Sequence, residues 1–282
     1  MKIVDTTPAF LTTSAHSLST LRQYYATFPS VFEEYFSYHC TQTDSRLQSA
    51  LARYPTDLLH INNLREQLPS LIHDIVHLYE ERFYISYKQT IHLIVGAYGS
   101  NAYTHRQILP DITFSLERMP KNSDGLRVLI AHEIGHAIHN QWTDLEGIDW
   151  EQIRWESLLL GMYREGVATH FSRRIVPNVA EELYYTYGSL GGKEWILFAQ
   201  ENQIDIKRAF LKDFNELSEK QLYREWYSIN GGERFGYPRL AYFLGDLFFQ
   251  HERKIKGDKT AILAWRHPNY LSEIHAWMQL LE

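Results

Sequence analysis

The chain has 282 residues, 44% hydrophobic and 22% charged, which is the balance of a globular protein with enough apolar material for a sizeable core. Its net charge of −6, with Arg253-Lys254-Ile255-Lys256 as the longest basic cluster, argues against nucleic acid as a main partner. The single cysteine, Cys40, excludes an intrachain disulfide and a cysteine-based zinc site, and no stretch approaches the apolar length of a membrane span.

The opening segment, "MKIVDTTPAFLTTS", lacks the apolar core of a signal peptide, so a soluble cytoplasmic protein with no membrane partner is expected. Residues 16 to 87 read mainly as helices. In "TDLLHINNLREQLPSLIHDIVHLYEERF", Leu58, Ile61, Leu64, Leu68, Leu71, Ile72, Ile75 and Leu78 recur at helical spacing, and Pro69 is expected to start a new helix or kink the first. Two stretches then read as strands: "TIHLIVGAYG", β-branched and ending in glycines, and "DITFSLERMP", where Ile112, Phe114 and Leu116 alternate with Thr113, Ser115 and Glu117. Lys121 to Gly125 reads as a turn. Helices are expected over about 126–141, 150–174, 190–201, 203–213, 238–255 and 270–281, with breaks at Pro177, Gly231-Gly232 and Pro268. The expected fold class is α+β, mainly helical with a small sheet. An N-terminal helical lobe (1–88) should pack on the remainder (89–282) in one compact unit.

The densest chemistry lies in "LRVLIAHEIGHAIHNQW". Residues four apart on a helix share a face, so His132 and His136 can turn ring nitrogens toward one ion. Leu126, Ile130 and Ile134, with Ala137 or Ile138, supply an apolar face for a core. Glu133 stands beside the pair, where a carboxylate can take a proton from zinc-activated water. His139 lies one turn further on the same face. Three ligands in line along one helix would crowd an ion, so His139 is expected to be exposed or to support the ligands from behind.

The third ligand has two candidates, Glu156 in "RWESLL" and Glu165 in "REGVATHF". Both are expected on the next helix. Nine residues apart, they point about 180° from each other, so at most one faces the metal. Glu156 follows His136 at the spacing of thermolysin-like peptidases, but Leu160 stands where those carry an aspartate. Glu165-Gly166-Val167-Ala168 resembles the glutamate-glycine-apolar-alanine segment of aminopeptidase N-like gluzincins, with a longer gap. HExxH followed by this segment looks more like a bacterial family of predicted zinc-dependent proteases, over roughly residues 90 to 250. That resemblance implies a gluzincin-like domain with its small sheet beside the HExxH helix, one Zn2+ per chain held by His132, His136 and Glu165, and Glu133 as general base in peptide-bond hydrolysis. The implied substrate is a peptide or an unfolded protein segment.

Hydrolysis also needs a donor for the developing oxyanion. "RFGYPRLAYFLGDLFF" places Tyr237, Ala241, Tyr242 and Gly245 at helical spacing, and the family carries a similar tyrosine-glycine helix near its end. Tyr242 is the first choice, with Tyr237, Arg239 and His170 behind it. Strand "DITFSLERMP" is expected at a sheet edge, pairing with extended substrate, with Glu117 either binding a substrate N-terminus or simply protecting the edge. The rival reading is a metallopeptidase-like binding or regulatory module with weak or no turnover. A di-iron bundle would need a second Glu-x-x-His pair, and none is evident beside Glu133–His136.

Overall fold

In a computed structural model, residues 1–13 and 16–280 are described. The elements in chain order are β1 (Lys2–Asp5), α1 (Thr7–Leu11), α2 (Leu18–Thr27), α3 (Pro29–Glu34), α4 (Asp44–Phe83), β2 (Thr90–Ile94), β3 (Ala102–Thr104), β4 (Ile112–Ser115), α5 (Ser123–Leu145), α6 (Leu158–Ile175), α7 (Leu183–Thr186), α8 (Gly192–Glu201), α9 (Gln203–Glu216), α10 (Glu219–Trp226), α11 (Leu240–Lys256), α12 (Asp258–Ile262) and α13 (Tyr270–Gln279). The protein is thus mostly helical with one small mixed sheet, an α+β chain. No described helix is long and apolar enough to cross a membrane. The last residue of the helix expected over 270–281 lies outside the described residues.

The chain forms two compact units, Met1–Lys121 and Asn122–Glu282. The boundary therefore falls 33 residues later than the expected one at 88, and the sheet belongs to the first unit. The reason is strand β1, which the sequence reading passed over. It pairs in parallel with β2, Ile3 opposite Ile91 and Asp5 opposite Leu93. Parallel neighbours need a long crossover, and helices α1 to α4 are that crossover. The helical lobe and the sheet cannot be separated without breaking this ladder.

Helix α4 runs 40 residues without interruption, through both Pro55 and Pro69. Its stripe of Leu47, Ala50, Tyr54, Ile61, Leu64, Leu68, Ile72, Ile75 and Tyr79 is buried. Burial of that face outweighs the backbone hydrogen bonds the prolines remove. Pro69 neither starts a helix nor ends one.

The sheet order is β1-β2-β4-β3, with β3 antiparallel to β4. Strand β4 is consequently internal, and every residue from Ile112 to Ser115 is buried. The expected edge strand is overturned. Alternation of Ile and Phe with Thr and Ser suggested one wet face, but small hydroxyl residues are also tolerated inside when bonded. Thr113 is, through its Oγ1, 2.7 Å from His105 Nε2. Glu117 follows in a short 3-10 turn and is buried. Its Oε2 accepts the Gly96 N–H at 2.9 Å and its Oε1 the Tyr98 N–H at 3.1 Å. It neither guards an edge nor reaches out to a substrate.

In the second unit, α6 packs against both α5 and α11. At the second crossing, Gly166 of α6 meets Gly245 of α11 with backbone against backbone. A methyl group on Gly166 would overlap the Gly245 carbonyl, and one on Gly245 would overlap the Met162 carbonyl. The glycine after Glu165 thus serves the approach of α11, not that of the HExxH helix. Helix α6 begins at Leu158, eight residues later than expected. Trp150–Gln152 is a separate 3-10 turn capped by Asp149, whose side chain accepts the Glu151 N–H.

Candidate metal centre

Helix α5 is built to hold a polar cluster inside a core. Asn122 caps it, its Oδ1 accepting the Gly125 N–H at 2.6 Å. From Val128 to Asn140 every residue is buried. Ile130, Ile134 and Ile138 give the helix its hold on its neighbours, while His132, Glu133 and His136 share the remaining face. Helix α6 brings Glu165 across. Its Oε2 lies 2.9 Å from His132 Nε2 and 3.4 Å from His136 Nε2. One ligand atom from each of the three residues falls within a 4.8 Å cluster, the only such metal-type group among the described residues.

Donor chemistry and spacing suit a divalent ion. Ligands at about 2.0–2.2 Å from a tetrahedral zinc stand roughly 3.3–3.5 Å apart, close to the His136–Glu165 separation. Both Nε2 atoms converge on one carboxylate oxygen, and both Nδ1 atoms are buried with no hydrogen-bond partner. The usual carboxylate or carbonyl that orients a ligating imidazole from behind is therefore missing. Burial pushes the His132 imidazole down to about 4, with Glu165 opposing in part, so the ring is neutral and able to ligate. Burial alone would raise Glu165, but the two imidazoles win and hold its carboxyl well below the ordinary range.

Glu133 is different. Burial pushes its carboxyl up to about 7, with His136 pulling down and Glu165 pushing up.

Two aromatic rings flank His132. The Tyr242 ring lies 5.9 Å away, nearly parallel, and the Tyr187 ring 5.7 Å away, edge-on. Arg239 joins them. It is buried, its guanidinium 3.8 Å over the Tyr242 ring and 4.7 Å over that of Tyr187, and its Nη2 donates to the Tyr187 hydroxyl at 3.3 Å.

Of the residues singled out from sequence, His132, Glu133, His136, Glu165, Arg239 and Tyr242 are brought together. Four are not. Glu156 is exposed and precedes α6, so the thermolysin-like spacing has no helix to act through. His170 packs on Phe249 and faces Asp258, at 3.9 Å. Tyr237 precedes α11 instead of lying in it, and stacks on Phe198 at 4.4 Å. His139 is neither exposed nor behind the ligands. It is fully buried, its Nε2 is 2.8 Å from the Ile262 carbonyl, and its ring stacks on Trp265 at 4.1 Å. A seven-residue offset from His132 put it on the right side of the wheel, but α5 is enclosed all round, so that side continues into core.

Sequence reasoning missed Tyr187. It sits at φ 54° at the end of the short helix α7, and its carbonyl accepts from Asn122 Nδ2 at 3.3 Å, which ties its loop to the cap of α5. A methyl on Gly125 would overlap that same carbonyl. The only available signal was Tyr187-Gly188 after an apolar turn, which resembles any helix end.

No protein-family model matches the chain, and no curated protein or solved structure matches it.

Proposed function

We propose that the protein is a zinc-dependent peptidase that hydrolyses peptide bonds with Glu133 as general base. The observation that carries this reading is the convergence of His132, His136 and Glu165 on one point, with the buried Glu133 on the same helix as both histidines. A divalent ion bound there, zinc by ligand type, would polarise a carbonyl and acidify water. Glu133 takes a proton from the attacking water as its oxygen bonds to the carbonyl carbon, then returns it to the leaving amine as the C–N bond breaks. Tyr242, beside His132, is the donor for the charge that develops on the carbonyl oxygen. The substrate on this reading is a peptide or an unfolded segment.

The test is elemental analysis of protein purified without added metal, beside the Glu165→Ala variant, with hydrolysis of a peptide mixture followed by mass spectrometry. About one zinc per wild-type chain, lost in the variant together with cleavage, is the expected result. A metal-loaded wild-type protein that cuts no peptide would overturn the enzymatic reading in favour of a binding module.

A further inference from the structure

Arg239 and Lys207 are the two buried cations of their unit among the described residues; Lys207 is met by the Leu280 carbonyl and the Trp277 ring. The half-buried Arg173 is paired with Asp246 at 2.7 Å and also with Glu181. Arg239 is buried yet has no carboxylate within ion-pair distance among the described residues; its one hydrogen bond goes to the neutral Tyr187 hydroxyl. A guanidinium has five N–H donors in a fixed fork, so most of its capacity is unused. Burying such a charge without a partner is costly, and proteins seldom do it without an anion to complete the site.

The backbone points the same way. Arg239 stands at φ 64°, in the left-handed region that a long side chain seldom occupies. The turn is secured from outside, because Trp195 Nε1 donates to the Pro238 carbonyl at 2.8 Å. Strain of this kind persists where the surroundings impose it, and it clusters at binding sites. Here it fixes the guanidinium against the two rings that flank His132.

We infer that Arg239, seated between Tyr187 and Tyr242, is a receptor for a substrate carboxylate one residue beyond the scissile carbonyl, so that the enzyme removes the last residue of a peptide. This rests on the peptidase reading above. One residue of extended chain spans roughly 3.3–3.6 Å. With a carbonyl at the His132–His136–Glu165 cluster, the next carboxyl group therefore falls within one residue of the ligands, and Arg239 stacks on the two rings that flank His132. A planar carboxylate can take two parallel N–H bonds from the fork, which orients the final peptide bond as well as binding it. The same chemistry could be offered by an α-carboxylate or by an acidic side chain at that residue.

The experiment uses the zinc-loaded full chain and three N-acetylated pentapeptides: one ending in leucine with a free carboxylate, its C-terminal amide, and an amide ending in aspartate. Release of the last residue from the free acid is expected, with the leucine amide at least ~30-fold poorer in kcat/KM, mostly through KM. Arg239→Gln should abolish that preference, and Arg239→Lys should restore it in part, since a lysine keeps the charge but not the fork. Comparable cleavage of the aspartate amide would assign the receptor to acidic side chains and overturn the terminal assignment. Internal cuts at equal rates in acid and amide would overturn the inference while leaving the peptidase reading intact. Calorimetry with N-acetyl-glycyl-leucine and its amide on the wild type supplies a readout independent of turnover and of the variants' folding. Preferential binding of the acid supports the receptor even if no peptide is cut, and equal binding removes it.

Discussion

Two buried carboxyl groups, one in each unit, are pushed by burial to about 7, and they are wired in opposite ways. Glu117 is closed off. It accepts the N–H groups of Gly96 and Tyr98, in a loop whose other N–H groups are occupied too: Val95 donates to the Tyr24 hydroxyl at 3.1 Å, and Ala97 and Gly99 to the Tyr35 hydroxyl at 2.8 and 2.9 Å. A side chain on Gly96 would overlap the Tyr35 hydroxyl. Glu133 accepts no such bond from the described residues and stands beside a histidine–carboxylate cluster. A raised carboxyl pKa does not therefore mark a catalytic group by itself. Glu117 uses its oxygens for structure, and those of Glu133 accept no bond from the described residues, as the proposed general base requires.

The sharpest way to break this contrast is to make both residues glutamine. Glu133→Gln should lower peptide hydrolysis by roughly 10²–10⁴-fold while retaining metal and folded stability, because the lost oxygen held no N–H. Unchanged turnover in a metal-replete variant would take Glu133 out of the chemistry. Tyr242→Phe comes next, with a loss in kcat of roughly 10²–10³-fold and metal content intact. If instead Tyr187→Phe carries the larger loss, the oxyanion donor is the tyrosine that the sequence did not single out.

Glu117→Gln should leave metal binding unchanged but cost stability, about 1–3 kcal/mol, because the amide –NH2 replaces one of the two oxygens that face the Gly96 and Tyr98 N–H groups and sets donor against donor. The cost should depend on pH. The folded carboxyl titrates near 7 against an ordinary 4.5, so the folded state holds a proton that the unfolded chain releases. The stability due to that proton is complete below 4.5 and is lost as pH rises through 7, on the order of 3 kcal/mol in all. Denaturation of wild type and variant across that window should show the difference between them shrinking as pH increases. A constant difference would mean that Glu117 stays ionised in the fold. The smallest expected effect is that of Asn122→Ala, about 1 kcal/mol from loss of the α5 cap, read as a lower melting temperature.

Much of the candidate site was legible because it depends on spacing along a helix. His132 and His136 four apart, with Glu133 between, stand where a regular helix puts them. Glu165 could be preferred over Glu156 through the likeness of its Glu-Gly-Val-Ala segment to that of the gluzincins, and in the structure Gly166 makes room for α11. Legibility failed where a residue's surroundings come from distant chain. His139 has the helical phase of a ligand, yet its neighbours are Ile262 and Trp265, more than a hundred residues on. Thr113 and Ser115 look solvent-facing in a strand pattern, yet β4 is internal to the sheet and both of its faces are buried. Tyr237 and His170 shared the composition of the site but not its location.

By itself the sequence determined the α+β class, the course of most helices, and the pair of histidines with a carboxyl between them, since local periodicity and residue chemistry suffice for these. Tertiary structure alone decided which glutamate meets the histidines, which tyrosines flank them, and that the arginine between those tyrosines has no acidic partner among the described residues. Those facts depend on where α5, α6 and α11 cross, and the α6–α11 crossing is set by two glycines, Gly166 and Gly245, whose meaning lies in the missing side chain and the backbone that occupies its place.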